Sequence, residues 1–303
     1  MFLKAAFKNA SVFVQLLMIM AVISFCMIVF SFLSGFLIAF KTGMSPETIR
    51  KVMENILDYP DIIREAQFLQ TLGLFLFPSI ICAWLFSDNY KEYFGIDQPF
   101  YKSVAVWTII SMIVAVPFLN LTYSFNQQMA FPEVFKGLET WMKKMEDTND
   151  QATEAILNTK NISTIIFNFL IVCVVAAISE EFMFRGLLQK FFGRVIKNPH
   201  ILIWTVAILF SAIHLQFYGF ITRMLLGAWL GYLMYYTKTI WIPVLAHFIN
   251  NFLTVGAYYL FQNTPDKIKE FDAVGTGATW WLAAASLALF FFSFIQIKKA
   301  INQ

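Results

Sequence analysis

The amino-acid sequence predicts an all-α polytopic membrane protein of about eight transmembrane helices, with amphipathic helices at the membrane interface. Of its 303 residues, 59% are hydrophobic and only 14% are charged, whereas a soluble domain carries about 25% charged residues. The mean hydropathy is +0.65. The charged residues lie in gaps between long apolar runs, and a run of about 20 apolar residues can cross a bilayer as a helix.

Eight apolar runs are candidate spans. They are 11–40, 68–87, 103–123, 162–190, 200–217, 219–236, 239–261 and 275–297. The fourth run carries charged residues in its second half, but apolar residues resume after them, so we interpret it as one long helix. In the sixth run, Gly227 and Gly231 form a G-x-x-x-G pattern, which is typical of close helix packing.

Two long connections contain amphipathic stretches. In 41–67, Ser45 and Pro46 form an N-cap and first-turn proline that predict the start of a surface helix. In 124–161, an amphipathic stretch around Val134 to Met145 is expected to end in a polar run that begins at Glu146. Both stretches are expected to lie at the membrane interface.

We divide the sequence into three parts. Residues 1–160 hold three spans and both long connections, residues 161–262 form a core of four spans, and residues 263–303 hold a loop and the last span. Basic residues in the short loops favour cytoplasmic termini on both ends of a multi-pass protein of the cell membrane.

The composition argues against several other classes. The net charge of +3 is small and the basic residues are scattered, so no nucleic-acid footprint is present. Cys26, Cys82 and Cys173 all lie in apolar runs without a C-x-x-C pattern, which indicates small buried side chains and no disulfide framework or thiolate metal site. The first apolar run is too long for a cleavable signal peptide.

Four ionisable side chains inside the predicted spans are especially informative, because an ionisable group within the membrane costs a few kcal/mol and usually serves a function. They are Glu180, Glu181, His214 and His247. Glu180 lies fourteen residues before the turn at Arg194, and His214 lies fourteen residues after His200. Both are therefore expected about 21 Å from the same membrane face.

The spacing of these residues also predicts which side chains share a face. Glu181 and Arg185 are four residues apart and can form an ion pair within one helix. His247 and Asn251 have the same spacing and are expected about 12 Å and 18 Å into the membrane. Glu180, rotated by about 100° from its neighbour, can face a polar pocket. An acid, imidazoles and an amide from three spans suit water-mediated hydrolysis.

At these residues the sequence resembles the CPBP family of intramembrane proteases, also called the ABI family, which includes the type II CAAX prenyl endopeptidases. Three motifs occur in order over residues 160–262: E-E-x-x-x-R from Glu180 to Arg185, F-x-x-x-H from Phe210 to His214, and H-x-x-x-N from His247 to Asn251. Tyr218 stands where prenyl-protein members tend to carry asparagine, which leaves the CAAX-type substrate open.

The resemblance implies an enzyme that needs neither metal nor another cofactor. Glu180 would activate water with the help of His214, while His247 and Asn251 would stabilise the oxyanion. Supporting roles would fall to the residues Glu181, Arg185 and Phe210. The implied partners are the lipid bilayer and a protein or peptide substrate that reaches the site within the membrane.

Other interpretations remain open at this stage. Glu180, Glu181, His214 and His247 include acceptable zinc ligands, so a zinc-dependent membrane hydrolase is one alternative. A non-catalytic scaffold or bacteriocin-immunity protein of the same fold is another, since Glu181 with Arg185 can be a structural ion pair and the remaining polar groups can join helices. A transporter is less favoured, because broken-helix signals are sparse.

Overall fold

The computed structural model describes residues 3–129 and 131–302, and within these ranges it contains helices and no strand. Six helices are long and apolar enough to cross a membrane, and they are Val12–Lys41, Pro60–Phe86, Lys102–Gln127, Ile162–Phe192, Trp241–Phe261 and Asp266–Ile301. The predicted all-α polytopic membrane fold is therefore confirmed.

We number the helices in chain order. They are α1 (Val12–Lys41), α2 (Pro46–Glu54), α3 (Pro60–Phe86), α4 (Tyr90–Phe94), α5 (Lys102–Gln127), α6 (Lys136–Leu157), α7 (Ile162–Phe192), α8 (Pro199–Ala212), α9 (Phe220–Thr237), α10 (Trp241–Phe261), α11 (Pro265–Ala273) and α12 (Trp280–Ile301). Short 3₁₀ turns occur at Ile56–Asp58, Glu133–Phe135, Phe217–Gly219 and Gly277–Thr279.

Two of the eight predicted spans are shorter helices. Helix α8 has 14 residues and is about 21 Å long, which is less than the roughly 30 Å of the hydrocarbon core. Helix α9 has 18 residues, but Arg223 and three tyrosines lower its hydropathy. The second half of the chain thus contains a hairpin of two shorter apolar helices between full-length candidates.

Helix α7 confirms the interpretation of 162–190 as one continuous helix with charged residues inside it. Asn161 caps its first turn by accepting from the backbone N–H groups of Ser163 and Thr164. Two stretches, Phe169–Val175 and Phe182–Leu188, are π-helical. Such widened turns occur frequently at functional sites, and the second begins directly after Glu181.

The two amphipathic connections behave differently. Helix α2 starts as predicted, with Ser45 accepting from the Thr48 N–H group and Pro46 in its first turn. Helix α6 does not end before the polar run at Glu146 but continues to Leu157. The polar run is therefore part of the helix: Glu146 itself is buried, and its neighbours Asp147 and Thr148 form the exposed side of the same helix.

The chain forms two compact units, the first of residues 1–96 and 150–195 and the second of residues 97–149 and 196–303. In the first unit, α1 packs against α3, and α3 packs against α7. In the second, α5 packs along α12 and α8 packs along α9. This grouping is spatial and interleaved, so the sequential division at 160 and 262 stays a prediction.

Close packing of α8 on α9 agrees with the G-x-x-x-G pattern. A Cβ atom on Gly227 would lie 3.0 Å from Phe210 Cδ1 and 3.3 Å from the backbone of Ala207. Glycine therefore lets α9 approach α8 where α8 carries Phe210. Cys26, Cys82 and Cys173 are free and buried, as the apolar runs predicted.

Candidate active site

The first set of predicted site residues lies in the middle of α7. The Glu181 and Arg185 side chains are fully buried, and Arg185 Nη1 donates to Glu181 Oε1 at 2.8 Å. The predicted ion pair within one helix is therefore confirmed. Glu180 is 9% exposed and also interacts electrostatically with Arg185, so two carboxylates lie near one guanidinium.

Apolar side chains surround this charged group. Phe182, Phe184 and Leu187 are buried on the same stretch of α7, and Phe184 forms a ring contact with Phe75 of α3. In such a low-dielectric environment, two carboxylates without a cation would be costly. The ion pair of Glu181 with Arg185 compensates much of that cost, and Glu180 is thereby kept next to a fixed positive charge.

His214 lies outside the helix that was expected to carry it. The predicted span 200–217 ends at Ala212, and His214 occupies the turn that follows, where Leu215 has a φ of 53°. The chain reverses direction at this turn, since α9 packs along α8. His214 Nδ1 lies 2.7 Å from the Phe210 carbonyl oxygen. Since a carbonyl only accepts, Nδ1 carries the proton, and in a neutral ring Nε2 carries the lone pair.

Phe210 links the two histidines of the second set. Its ring meets the His214 ring edge-on with centroids 5.1 Å apart, and it meets the His247 ring edge-on at 5.8 Å. Phe210 is 1% exposed, so this contact is part of the core of the second unit. The F-x-x-x-H motif thus places a rigid apolar side chain between the two imidazoles.

His247 and Asn251 lie one turn apart on α10, as predicted. His247 is buried beside Ala246, which belongs to the core cluster around α5, α9 and α12. Asn251 is half-buried, and its Oδ1 atom accepts from Asn250 Nδ2 at 3.2 Å. In this orientation, the donor end of the Asn251 amide is its Nδ2 group.

Side chains that the sequence analysis missed hold the His214 turn in place. Asn126, fully buried at the end of α5, donates to the Phe217 carbonyl at 3.0 Å and accepts from the Ile221 N–H at 2.7 Å. Ser211 Oγ donates to the Phe220 carbonyl, and Arg223 donates to Gln216 Oε1. Each of these polar residues stands in or beside an apolar run, which is the signal that could have identified them.

Helix α6 adds two more contacts to the same turn. Glu146 Oε2 accepts from the Tyr218 N–H at 3.2 Å, and Asn149 Nδ2 donates to the His214 carbonyl at 3.5 Å. These residues are three positions apart and therefore share a helix face. The sequence analysis saw them only as part of a polar run and therefore did not single them out.

The structure thus places the predicted site residues in two sets. Glu180, Glu181 and Arg185 belong to the first unit, whereas Phe210, His214, His247 and Asn251 belong to the second. Each set is held by its own contacts. Among the described residues, no group of three or more His, Cys, Asp or Glu side chains could hold a metal ion. That the two sets act on one substrate stays a prediction.

Comparison with known proteins identifies the segment that carries both sets. Residues 162–253 match the family model described as "Type II CAAX prenyl endopeptidase Rce1-like". The chain is also similar to the Bacillus subtilis (strain 168) protein named "Uncharacterized protein YpbD", with 32% identity over 98 residues. That alignment covers 31% of this chain and 45% of the Bacillus protein, so the chain spans less than half of that relative.

No solved structure matches the chain significantly. The matched segment begins at the first residue of α7 and ends two residues after Asn251, so it includes all three motifs. Residues 162–253 of this chain are therefore similar to the Rce1-like type II CAAX prenyl endopeptidases.

Proposed function

We propose that this protein is an intramembrane endopeptidase that hydrolyses a peptide bond with a water molecule activated by Glu180. One observation carries the proposal: a buried carboxylate lies beside a buried ion pair inside a membrane-spanning helix, within a segment of the Rce1-like family. Ionisable groups at membrane depth are expensive and usually functional. The Glu181–Arg185 ion pair is assigned a structural role, and the chemistry is assigned to Glu180.

In the proposed reaction, Glu180 takes a proton from water while the water oxygen attacks the scissile carbonyl carbon. The electron pair of the C=O π bond moves to the carbonyl oxygen. When the tetrahedral intermediate collapses, the C–N bond breaks and Glu180 returns the proton to the leaving amine. His214 assists by accepting from the same water at Nε2, because its Nδ1–H group is directed to the Phe210 carbonyl.

His247 and Asn251 are proposed to stabilise the oxyanion. The Nδ2 group of Asn251 is the proposed donor to the oxyanion. The Oδ1 atom of the same amide accepts from Asn250 Nδ2. A well-placed oxyanion donor contributes about 3–4 kcal/mol to transition-state stabilisation in hydrolases. Phe210 fixes the distance between His214 and His247 by contacting both rings. The reaction uses protein groups alone, without a metal or another cofactor.

The substrate class follows from the family. We propose a protein or peptide substrate of the CAAX type, cleaved near its prenylated cysteine, which reaches the site from the bilayer. The protein would reside in the cell membrane with both termini in the cytoplasm. A fluorogenic CAAX peptide with and without a farnesyl group would test the substrate class, and preferential cleavage of the farnesylated form is expected.

The first prediction concerns Glu180. In purified protein in liposomes, Glu180→Gln should lower kcat for a reporter peptide by about 10²–10⁴-fold, because an amide cannot accept the proton of water. The variant keeps the size of the side chain, so its thermal unfolding should resemble that of the wild type. Cleavage is measured by the fluorescence of the released fragment.

Glu47→Gln is a matched control, because Glu47 is an exposed carboxylate on α2, and its activity should be unchanged. Addition of a metal chelator to the assay tests the zinc-hydrolase alternative, since loss of cleavage in its presence would favour a metal. Full activity of Glu180→Gln would refute the proposed mechanism, and an inactive wild type would favour the scaffold alternative.

A further inference from the structure

A buried acidic residue outside the three motifs contacts the turn that carries His214. Glu146 lies on α6, is 8% exposed, and is separated from Tyr218 by 72 residues in sequence. It also lies outside the matched segment 162–253. Burying a carboxylate is costly unless it is hydrogen-bonded, so its position calls for a structural or functional reason.

The turn after α8 needs partners for its backbone groups. The 3₁₀ turn Phe217–Gly219 receives no side-chain cap from the residue before it, and the first N–H groups of any helical turn lack partners within it. Glu146 Oε2 supplies an acceptor for the Tyr218 N–H at 3.2 Å. A charged acceptor gives a stronger hydrogen bond than a neutral one.

Asn149 contacts the other end of the same turn. Its Nδ2 atom donates to the carbonyl oxygen of His214 itself at 3.5 Å. Glu146 and Asn149 therefore contact backbone atoms on both sides of Leu215, the residue with φ of 53°. That conformation is unfavourable for a leucine, and it needs support from its surroundings.

Apolar contacts add to the polar ones. The Trp141 and Phe217 rings lie 5.3 Å apart, and Met142 is buried on the same helix. The less exposed residues in this part of α6, 142, 145, 146 and 149, recur at helical spacing. Glu146 and Asn149, which contact the turn, belong to this less exposed face.

We infer that Glu146 is a positioning residue for His214, with Asn149 assisting it: by holding both ends of the turn, α6 keeps the His214 ring on the Phe210 carbonyl. This inference rests on the proposed function, because His214 is there the group that assists Glu180. Without Glu146, the Tyr218 N–H loses its acceptor, and the backbone of 213–218 can relax. The ring then leaves Phe210, and Nε2 no longer points in one fixed direction.

The test combines kinetics with a direct measurement on the imidazole. Protein labelled with ¹⁵N at histidine contains only three labelled residues, and His214→Gln identifies the signals of His214. Solid-state ¹⁵N spectra in proteoliposomes distinguish a protonated Nδ1 from an unprotonated one. Wild type and Glu146→Gln should both show the single Nδ1–H form, because glutamine retains an oxygen acceptor for Tyr218.

Glu146→Leu removes the acceptor, and its His214 signals should split or shift. Its kcat should fall at least about tenfold, since misplacing a reacting group by roughly 1 Å can cost about a hundredfold, whereas KM should change by less than about twofold. Wild-type His214 signals and wild-type kcat in Glu146→Gln would show that Glu146 acts by positioning His214. Asp147→Leu, on the exposed side of α6, is the matched control and should change neither readout.

The two proposals fail separately. If Glu146→Leu leaves the His214 signals unchanged, the inference is wrong, whatever the activity. If the wild type does not cleave any reporter, the proposed function is wrong, and the ¹⁵N spectra still decide whether Glu146 positions His214. Should Glu146→Leu not fold, Asn149→Leu removes the second contact and is expected to shift the same signals, and unchanged signals there would also overturn the inference.

Discussion

At the scale of single residues, the Glu181–Arg185 pair dominates the electrostatics of α7. Both side chains are fully buried, and their polar atoms are 2.8 Å apart. Two charges removed from water cost several kcal/mol each, and their attraction repays this only while both are present. The pair therefore stabilises the protein only while both charges are present, because removal of either one leaves the other charge buried without its main partner.

This dependence can be measured. Glu181→Leu should destabilise the protein by about 3–5 kcal/mol, because it leaves Arg185 as a buried charge with its main partner removed. The double variant Glu181→Leu/Arg185→Met should lose less than the single variant, since it removes both charges. Thermal unfolding in detergent micelles gives the comparison.

An exposed ion pair on the surface helix provides the control. Lys51 and Glu47 on α2 are 2.8 Å apart and largely exposed, and Glu47→Leu should change the stability by less than about 1 kcal/mol. If the double variant on α7 were less stable than Glu181→Leu alone, the pair would not be coupled in the way described.

At the scale of elements, a side chain of α12 contacts the backbone of α5 next to a proline. Pro117 lies within α5 and has no N–H group to donate to the residue one turn earlier. One position further on, Ser286 Oγ accepts from the Phe118 N–H at 3.3 Å and donates to the Val114 carbonyl. These are the two groups that bond to each other in a regular helix, so the Ser286 hydroxyl adds a partner to both of them beside the proline.

Ser286→Ala should therefore cost about 1–3 kcal/mol of stability, because two buried backbone groups lose their partner. Ser293→Ala, in the same helix, is the matched control. Ser293 Oγ donates only to the Leu289 carbonyl of its own helix, and that carbonyl keeps its helical partner when the hydroxyl is removed. Equal losses in the two variants would argue against a bridging role for Ser286.

At the scale of the whole molecule, we predict an even number of membrane crossings. Six long helices among the described residues are candidates, and the α8–α9 hairpin would add either two crossings or none, so both ends of the chain are expected on one side of the membrane. The two counts differ in the depth of His214. Because α8 is about 21 Å long, a hairpin that enters from one face is expected to reach its turn short of the far face of a hydrocarbon core of roughly 30 Å.

Cysteine labelling tests this depth. In a variant lacking Cys26, Cys82 and Cys173, a cysteine at Ile213 in the turn should react slowly with a bulky, membrane-impermeant maleimide from both sides of the vesicle. It should react readily with a lipid-soluble maleimide. A cysteine at Lys197, just before α8, should react quickly with the impermeant reagent from one side. Fast reaction of the Ile213→Cys variant from the other side would show that α8 crosses fully.

The membrane class, the N-cap of α2 and one buried ion pair of this protein follow from patterns in the local sequence. Runs of apolar residues set the membrane class because the bilayer thickness fixes their length. The N-cap of α2 at Ser45 and the Glu181–Arg185 pair also follow from the local sequence. The pair is predictable because residues four apart on a helix are neighbours whatever surrounds them. The three motifs, read in order, indicate the same family whose model residues 162–253 match.

Tertiary structure decided what depends on distant contacts. Hydropathy did not predict the end of α8 at Ala212, because Ile213 and Leu215 are apolar and the turn is closed by partners such as Asn126, Glu146 and Arg223. In the sequence, Glu146 is only the first residue of a polar run, and its partner lies 72 residues away. A sequence lists donors and acceptors, but only the fold determines which of them meet, because hydrogen bonds between remote segments have no fixed spacing along the chain.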